Sequence, residues 1–159
     1  MSRFNSVPNF ARALTYAGAL PFIAGTVMLF AAPAATQPIF GKLLITYAVV
    51  IASFLGGIQW GVALNAAETA PTSARNLFFI SVIPSLFAWA ILFIPSYGVQ
   101  LIAAATLFVS IWALDAMLAL QKLIPGWFFR LRCAITGIVV LCLIAAYVGA
   151  MLSGSTVKV

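Results

Sequence analysis

The most constraining feature of this sequence is the length of its uncharged apolar segments. No charged side chain lies between Arg12 and Lys42, and similar apolar runs follow along the chain. Charged residues make up 6% of the 159 residues and hydrophobic residues 65%, whereas soluble domains carry about 25% charged residues. A water-soluble domain of this size could not bury so much apolar surface. We therefore predict an integral membrane protein.

The apolar runs are long enough for five transmembrane helices, because about 20 apolar residues cross the hydrocarbon core of a bilayer. Proline, glycine and polar residues separate the runs. The runs lack the alternation of polar and apolar residues that is typical of a membrane β-barrel strand. We predict an all-α, polytopic transmembrane helical bundle that forms a single domain over residues 1–159. The predicted spans are 13–32, 43–64, 77–94, 99–120 and 133–152.

The basic residues predict the orientation of this bundle. Five spans place the two termini on opposite sides of the membrane, with six basic residues on the N-terminal side and two on the other. Basic residues in short loops favour the cytoplasmic side. We therefore predict a cytoplasmic N-terminus and a C-terminus outside. The six residues are Arg3, Arg12, Arg75, Lys122, Arg130 and Arg132, and the two are Lys42 and Lys158.

The composition also excludes several kinds of site. The chain has no histidine, which excludes His-ligated haem, His-ligated zinc and a histidine general base. Two cysteines, Cys133 and Cys142, are too few for a four-cysteine cluster, and two acids, Glu68 and Asp115, are too few for a carboxylate metal centre. The basic residues form no patch for nucleic acid. We expect no metal and no cofactor, and we expect membrane lipids as partners.

Each predicted span carries a polar side chain at a similar depth. From the helical rise, these groups lie about 7–10 Å from the midpoints of their spans, toward the cytoplasm. Asp115 is the one acid inside a predicted span, so it should face the bundle and find a partner. Arg132 is the best candidate because its long side chain can reach inward from the cytoplasmic edge. The other members of this layer are Gln59, Trp60, Tyr16, Ser81 and Thr136.

Two interpretations of this polar layer remain open. In the first, Asp115 and its neighbours form an ion pair or a hydrogen-bond network that fixes the helix register. In the second, they form a cytoplasm-facing pocket in which Asp115 and Arg132 bind a small polar ligand or a lipid headgroup. In such a pocket Asp115 could also relay protons.

A stripe of small residues in the second span predicts close packing. Ser53, Gly57 and Gly61 are spaced by four, so they share one helix face, and small residues there let another backbone approach. Three interpretations are open: a packing face inside the monomer, an oligomer contact, or the floor of a ligand cleft.

Two further patterns concern helix shape and the membrane interface. Pro21 and Pro84 lie near the middle of their spans and predict helix bends, either as ordinary kinks or as a functional hinge. An aromatic run beside basic residues is typical of the belt at a membrane interface, although it could also dock a partner. This run consists of Trp127, Phe128 and Phe129, followed by Arg130.

Two segments carry a resemblance to a known family. The first is SFLGGIQWG at 53–61, and the second is WFFRLR at 127–132, followed by Thr136. They resemble the two signature regions of a bacterial membrane family of unknown function that includes the mitochondrial transmembrane protein 69. The resemblance extends in length and helix count over roughly the whole chain. It implies a multi-pass protein of a proteobacterial inner membrane, and it implies no established activity and no catalytic residue.

Three functions are compatible with these features. The favoured one is a non-enzymatic accessory or assembly factor of a membrane complex, such as a respiratory complex, because ionisable groups are few and the stripe of small residues suits helix docking. The second is a small-molecule or lipid binder or transporter that uses the layer around Asp115 and works as a homo-oligomer. The third is a membrane enzyme acting on lipid or quinone, in which Asp115 and Tyr16 perform acid–base chemistry.

Overall fold

The computed structural model describes residues 6–68 and 71–152, which form five α-helices joined by short loops. Each helix contains a segment that is long and apolar enough to cross a membrane. The prediction of an all-helical chain with five such helices is therefore confirmed. The helices are α1 (Ser6–Ala31), α2 (Gln37–Ala66), α3 (Pro71–Ile91), α4 (Tyr97–Leu120) and α5 (Gly126–Leu152).

All five helices begin earlier than their predicted spans, and α2 and α5 illustrate the reason. α2 begins at Gln37 and has Pro38 in its first turn, where the missing N–H of proline leaves no helical hydrogen bond unmade. α5 begins at Gly126, so the aromatic run belongs to its first turns rather than to a loop. In both cases the helix extends past the apolar core of the run into its polar or aromatic flank.

The helices form a closed ring in chain order, and α2 and α4 also contact each other across it. Two hydrogen bonds illustrate how neighbouring helices are joined. The Tyr47 hydroxyl of α2 donates to the Gly18 carbonyl of α1 at 2.9 Å, and the Thr26 hydroxyl of α1 donates to the Cys142 carbonyl of α5 at 3.2 Å. In the described part of the chain, α2 and α4 each contact three other helices, whereas α1, α3 and α5 each contact two.

The interior consists of two apolar clusters of unequal size. We call them the larger core and the smaller core. In the larger core, Phe22 of α1 packs edge-on against Phe108 of α4, with ring centroids 5.7 Å apart. The smaller core lies where α2 and α4 end and where α3 and α5 begin, and it contains Ala63, Leu77, Leu118 and Ile124. Many large apolar side chains point outward instead, as expected for a surface that faces lipid.

The backbones of α2 and α3 approach closely at Gly56. A Cβ atom on Gly56 would lie 2.5 Å from the backbone oxygen of Ser81, which is too close for any side chain. Small residues recur on this face of α2, since Ala48 and Ala52 are also buried. The backbones can approach closely because no side chain separates them.

The turn between α4 and α5 is closed by a residue in the left-handed conformation. Lys122 has a φ of 58°. Its N–H donates to the Ala119 carbonyl at 3.0 Å, and the Leu123 N–H donates to the Leu118 carbonyl at 2.9 Å. This is the Schellman pattern of a helix C-terminus, and Leu123 packs against the smaller core, which contains Leu118.

Candidate functional site

Three polar side chains from three helices meet in the interior, and we call them the polar cluster: Gln59 of α2, Asp115 of α4 and Arg132 of α5. Arg132 Nε donates to Asp115 Oδ2 at 2.7 Å in a buried ion pair. Gln59 Nε2 donates to Asp115 Oδ1 at 3.4 Å. The three residues are 1%, 3% and 5% exposed, respectively. The expected partnership of Asp115 with Arg132 is therefore present.

The helical repeat explains why these side chains face inward. Asp115 follows Ile111 by one turn and precedes Leu118 by about one turn, and all three are buried on the inner face of α4. Ile111 belongs to the larger core and Leu118 to the smaller core. The carboxylate thus lies between two apolar clusters, where a low local dielectric strengthens both the ion pair and its hydrogen bonds.

Three buried polar atoms in this region have no hydrogen-bond partner among the residues that the structure describes. They are Gln59 Oε1, Arg132 Nη2 and Thr136 Oγ1. Thr136 lies one turn after Arg132 on α5 and is 6% exposed. Arg132 contacts the carboxylate through Nε alone, not through the paired donors of a bidentate fork. The region therefore keeps unused capacity to donate and to accept hydrogen bonds.

The remaining members of the predicted layer do not join the polar cluster. Ser81 is buried, but its hydroxyl donates to the Phe78 carbonyl of its own helix at 2.8 Å. Tyr16 and Trp60 lie on the outside of the bundle, and they are 47% and 44% exposed. Trp60 packs edge-on against the Phe78 ring instead. Depth along a helix does not specify direction, because adjacent residues such as Gln59 and Trp60 point about 100° apart.

This placement also corrects the acid–base pair of the enzyme hypothesis. Asp115 is enclosed in the interior, whereas Tyr16 is on the exposed side of α1. The described parts of α1 and α4 are not among the helix pairs with close backbone contacts. Asp115 and Tyr16 therefore do not form one site.

The stripe of small residues does not provide the close contact inside the chain. Gly57 and Gly61 are exposed, and a Cβ atom on either would meet nothing within 4 Å in the described part of the chain. Ser53 is half-buried. Gly56, the neighbour of Gly57, makes the close contact with α3. The interpretation as a packing face inside the monomer is thus replaced by the Gly56 face, while an oligomer contact and the floor of a ligand cleft stay predictions.

Gly56 is the residue that sequence reasoning missed, although a signal for it exists. Ala48, Ala52 and Gly56 are also spaced by four, and they form a second stripe of small residues beside the predicted one. All three are buried. Comparing the two stripes would have identified both as candidates, but spacing alone does not choose between them.

The two prolines lie inside continuous helices. Pro21 is on the exposed side of α1, and Pro84 is buried in α3. The Cβ of Pro84 lies 3.6 Å from the position that a Cβ on Gly56 would occupy. Pro84 is therefore part of the tight contact between α2 and α3, and a role as a hinge stays a prediction for both residues.

The aromatic run at the start of α5 packs partly into the bundle. Trp127 contacts the larger core, while Phe128 and Phe129 contact the smaller core. All three are half-buried, and Arg130 is exposed. The role of these aromatic rings as an interfacial belt stays a prediction.

Fold and site together define a class, that of small multi-pass helical membrane proteins with a buried ion pair. The chain belongs to the family described as a protein of unknown function (DUF3429), which matches over residues 7–148. It is 30% identical over 141 residues to transmembrane protein 69 of Xenopus tropicalis, covering 89% of this chain and 54% of that protein. The chain thus spans about half the length of this relative. No solved structure is significantly similar to it. The resemblance stated from the two segments is confirmed.

Proposed function

We propose that this protein is a non-enzymatic accessory or assembly factor that binds a larger complex, such as a respiratory complex, in a bacterial inner membrane. The observation that carries this proposal is the outward face of α2. Gly57 and Gly61 lie there one turn apart, and a Cβ atom on either would meet nothing within 4 Å in the described part of the chain. We call these two residues the glycine face.

Three other helical glycines of this chain support the proposal by contrast. A Cβ on Gly25, Gly41 or Gly98 would lie 3.1–3.3 Å from a side chain of a neighbouring helix. These glycines are used for close contacts, which offsets the cost of about 0.5–1 kcal/mol that glycine imposes on a helix. The glycine face bears the same cost without a contact inside the described chain. Association of helices in a bilayer relies on such close approach, so a helix of another protein is the expected partner.

The polar cluster has a structural role in this proposal. The ion pair and the Gln59 contact join α2, α4 and α5, and alternative registers of these helices would leave charges unpaired in an apolar interior. A rigid bundle of this kind presents the glycine face to a partner in a constant geometry.

We also propose that the N-terminus lies in the cytoplasm. Arg12, Arg75, Lys122 and Arg130 are exposed near helix ends on the same side of the bundle, and Lys42 is exposed near the opposite side. This distribution supports the orientation because basic residues are retained on the cytoplasmic side. Arg3 and Lys158, which also entered the sequence prediction, lie outside the described residues.

The test is purification in a gentle detergent, followed by native electrophoresis and mass spectrometry. The unmodified protein should migrate with a larger complex, and the double variant Gly57→Leu/Gly61→Leu should lose it while remaining folded. Gly137→Leu is the matched control, because Gly137 of α5 is also exposed and a Cβ on it would meet nothing within 4 Å. A lone monomer or a homo-oligomer from the unmodified protein would refute the proposal.

A further inference from the structure

We infer that the polar cluster and Thr136 enclose an internal water site, in which water bridges Arg132 Nη2, Gln59 Oε1 and Thr136 Oγ1. This inference goes beyond the proposed function, since it concerns the interior of the bundle and not its outer face. It starts from the three buried atoms that have no partner among the described residues.

The chemistry of these atoms selects the ligand. Arg132 Nη2 only donates hydrogen bonds, Gln59 Oε1 only accepts them, and the Thr136 hydroxyl does either. A ligand that satisfies the set must both accept and donate. A ketone or ester carbonyl only accepts, so it would leave Gln59 Oε1 unpaired. Water has two donors and two acceptor lone pairs, and buried water typically makes two to four hydrogen bonds to groups of this kind.

The charge of the site argues against an anionic ligand. The guanidinium of Arg132 is already neutralised by the carboxylate of Asp115 at 2.7 Å. A phosphate or a carboxylate would therefore add an uncompensated negative charge between the two apolar cores, where charge is strongly disfavoured. A neutral ligand avoids this penalty, which excludes the phosphate of a lipid headgroup as the occupant.

The enclosure of the site requires a small ligand. Gln59, Asp115, Arg132 and Thr136 are each at least nine-tenths buried. On one side lies the larger core and on the other the smaller core, against which Phe128 of α5 packs. A lipid or another large molecule would have to separate these cores, whereas a single water molecule is the smallest ligand that both donates and accepts hydrogen bonds.

The connections of Asp115 hold the bridged groups together. One carboxylate oxygen contacts Arg132 and the other contacts Gln59, so the guanidinium and the amide face the same carboxylate. Thr136 is one helical turn from Arg132 on the same buried face of α5. Water in this position completes the hydrogen bonds that Gln59 and the single-donor ion pair leave open.

The test measures proton magnetisation transfer from water to the protein by solid-state NMR, using the full chain in bilayers. The side-chain N–H groups of Arg132 should receive water magnetisation several-fold faster than the indole N–H of Trp112. Trp112 is the depth-matched control, because it lies about one turn from Asp115 on α4 and donates to Cys133 Sγ at 3.3 Å on the outer side. Transfer to Arg132 as slow as to Trp112 would overturn the inference.

Samples in deuterated and in protonated lipid, both in ordinary water, distinguish the possible sources, because the exchangeable Arg132 protons are retained in both. If Arg132 receives magnetisation from lipid protons and not from water, a lipid occupies the site and the inference is wrong. The double variant Gln59→Leu/Thr136→Val removes two of the three bridging atoms. This variant should reduce the water transfer to Arg132 to the level of Trp112. The signals of Thr26, which lies outside the site on α1, should stay unchanged and so report an intact fold. Unchanged transfer to Arg132 in this variant would contradict the bridging geometry. The comparison within the unmodified protein remains decisive if the variant does not fold.

Discussion

Asp115 is a carboxylate whose two oxygens are both engaged, by Arg132 at 2.7 Å and by Gln59 at 3.4 Å. A charge at this position requires its partner, since removing one member leaves the other charged and buried. The pair need not be more stabilising than two apolar residues of similar size. Its importance lies in the penalty for breaking it.

A substitution at Asp115 tests the penalty for leaving one charge of the ion pair buried without its partner. Asp115→Asn should lower the free energy of unfolding by about 3–5 kcal/mol, because Arg132 then keeps a buried charge without a counterion. The double variant Asp115→Leu/Arg132→Met should recover most of this loss. Thermal unfolding in detergent measures both effects. If Asp115→Asn is as stable as the unmodified protein, the ion pair does not hold the bundle together.

Adjacent glycines of α2 provide a second test at the residue scale. Gly56→Ala should destabilise the fold by about 1–3 kcal/mol, because its Cβ would lie 2.5 Å from the backbone oxygen of Ser81. Gly57→Ala is the matched control and should leave stability unchanged or raise it by up to about 1 kcal/mol. The same unfolding measurement compares them. Equal effects of the two substitutions would show that α3 does not pack on Gly56.

At the scale of elements, the end of α4 depends on a residue type that does not suit its backbone. Lys122 occupies the left-handed position that is usually glycine. The side chain costs about 1–2 kcal/mol in that conformation, yet the turn places Leu118 and Leu123 in the smaller core. Packing in the smaller core thus holds Lys122 in a left-handed conformation that is unfavourable for lysine.

Replacing this residue should therefore stabilise the turn. Lys122→Gly should raise the free energy of unfolding by about 0.5–1 kcal/mol. Relief of backbone strain in the folded state stabilises the protein, and the greater conformational entropy of glycine in the unfolded chain offsets part of this gain. Gln121→Gly serves as the control and should be destabilising, because Gln121 has a φ of −78°. Chemical or thermal unfolding in detergent gives the comparison. A loss of stability in Lys122→Gly would contradict the role assigned to the left-handed conformation.

At the scale of the whole molecule, the ring of five helices makes the orientation testable with two loops. Ala34 lies between α1 and α2, and Gln121 lies between α4 and α5, and both are exposed. In a background with Cys133 and Cys142 replaced, Ala34→Cys should react with an impermeant maleimide added to spheroplasts. Gln121→Cys should react only after permeabilisation, because the basic residues favour the cytoplasm on that side. The reverse pattern would show a cytoplasmic C-terminus.

Much of the architecture was predictable because it depends on length and composition. Uncharged runs of about 20 residues require spanning helices, since backbone polar groups must be paired within the bilayer. The pairing of Asp115 with Arg132 was also predictable, because a lone acid in an apolar interior needs a partner. The residues at which the helices begin were harder to predict. Gln37 and Gly126 lie in polar or aromatic segments beside the apolar runs, and hydrophobicity alone does not assign such segments to a helix.

The five spans, the position of most charges outside them and the need of Asp115 for a counterion follow from the amino-acid sequence alone. Which face of each helix is internal became known only from the packed bundle, in which Gln59 and Gly56 lie inside and Trp60 and Gly57 outside. In water an amphipathic pattern distinguishes a buried face from an exposed one, but here both the bundle interior and the lipid are apolar. The choice of face therefore depends on side-chain packing between helices.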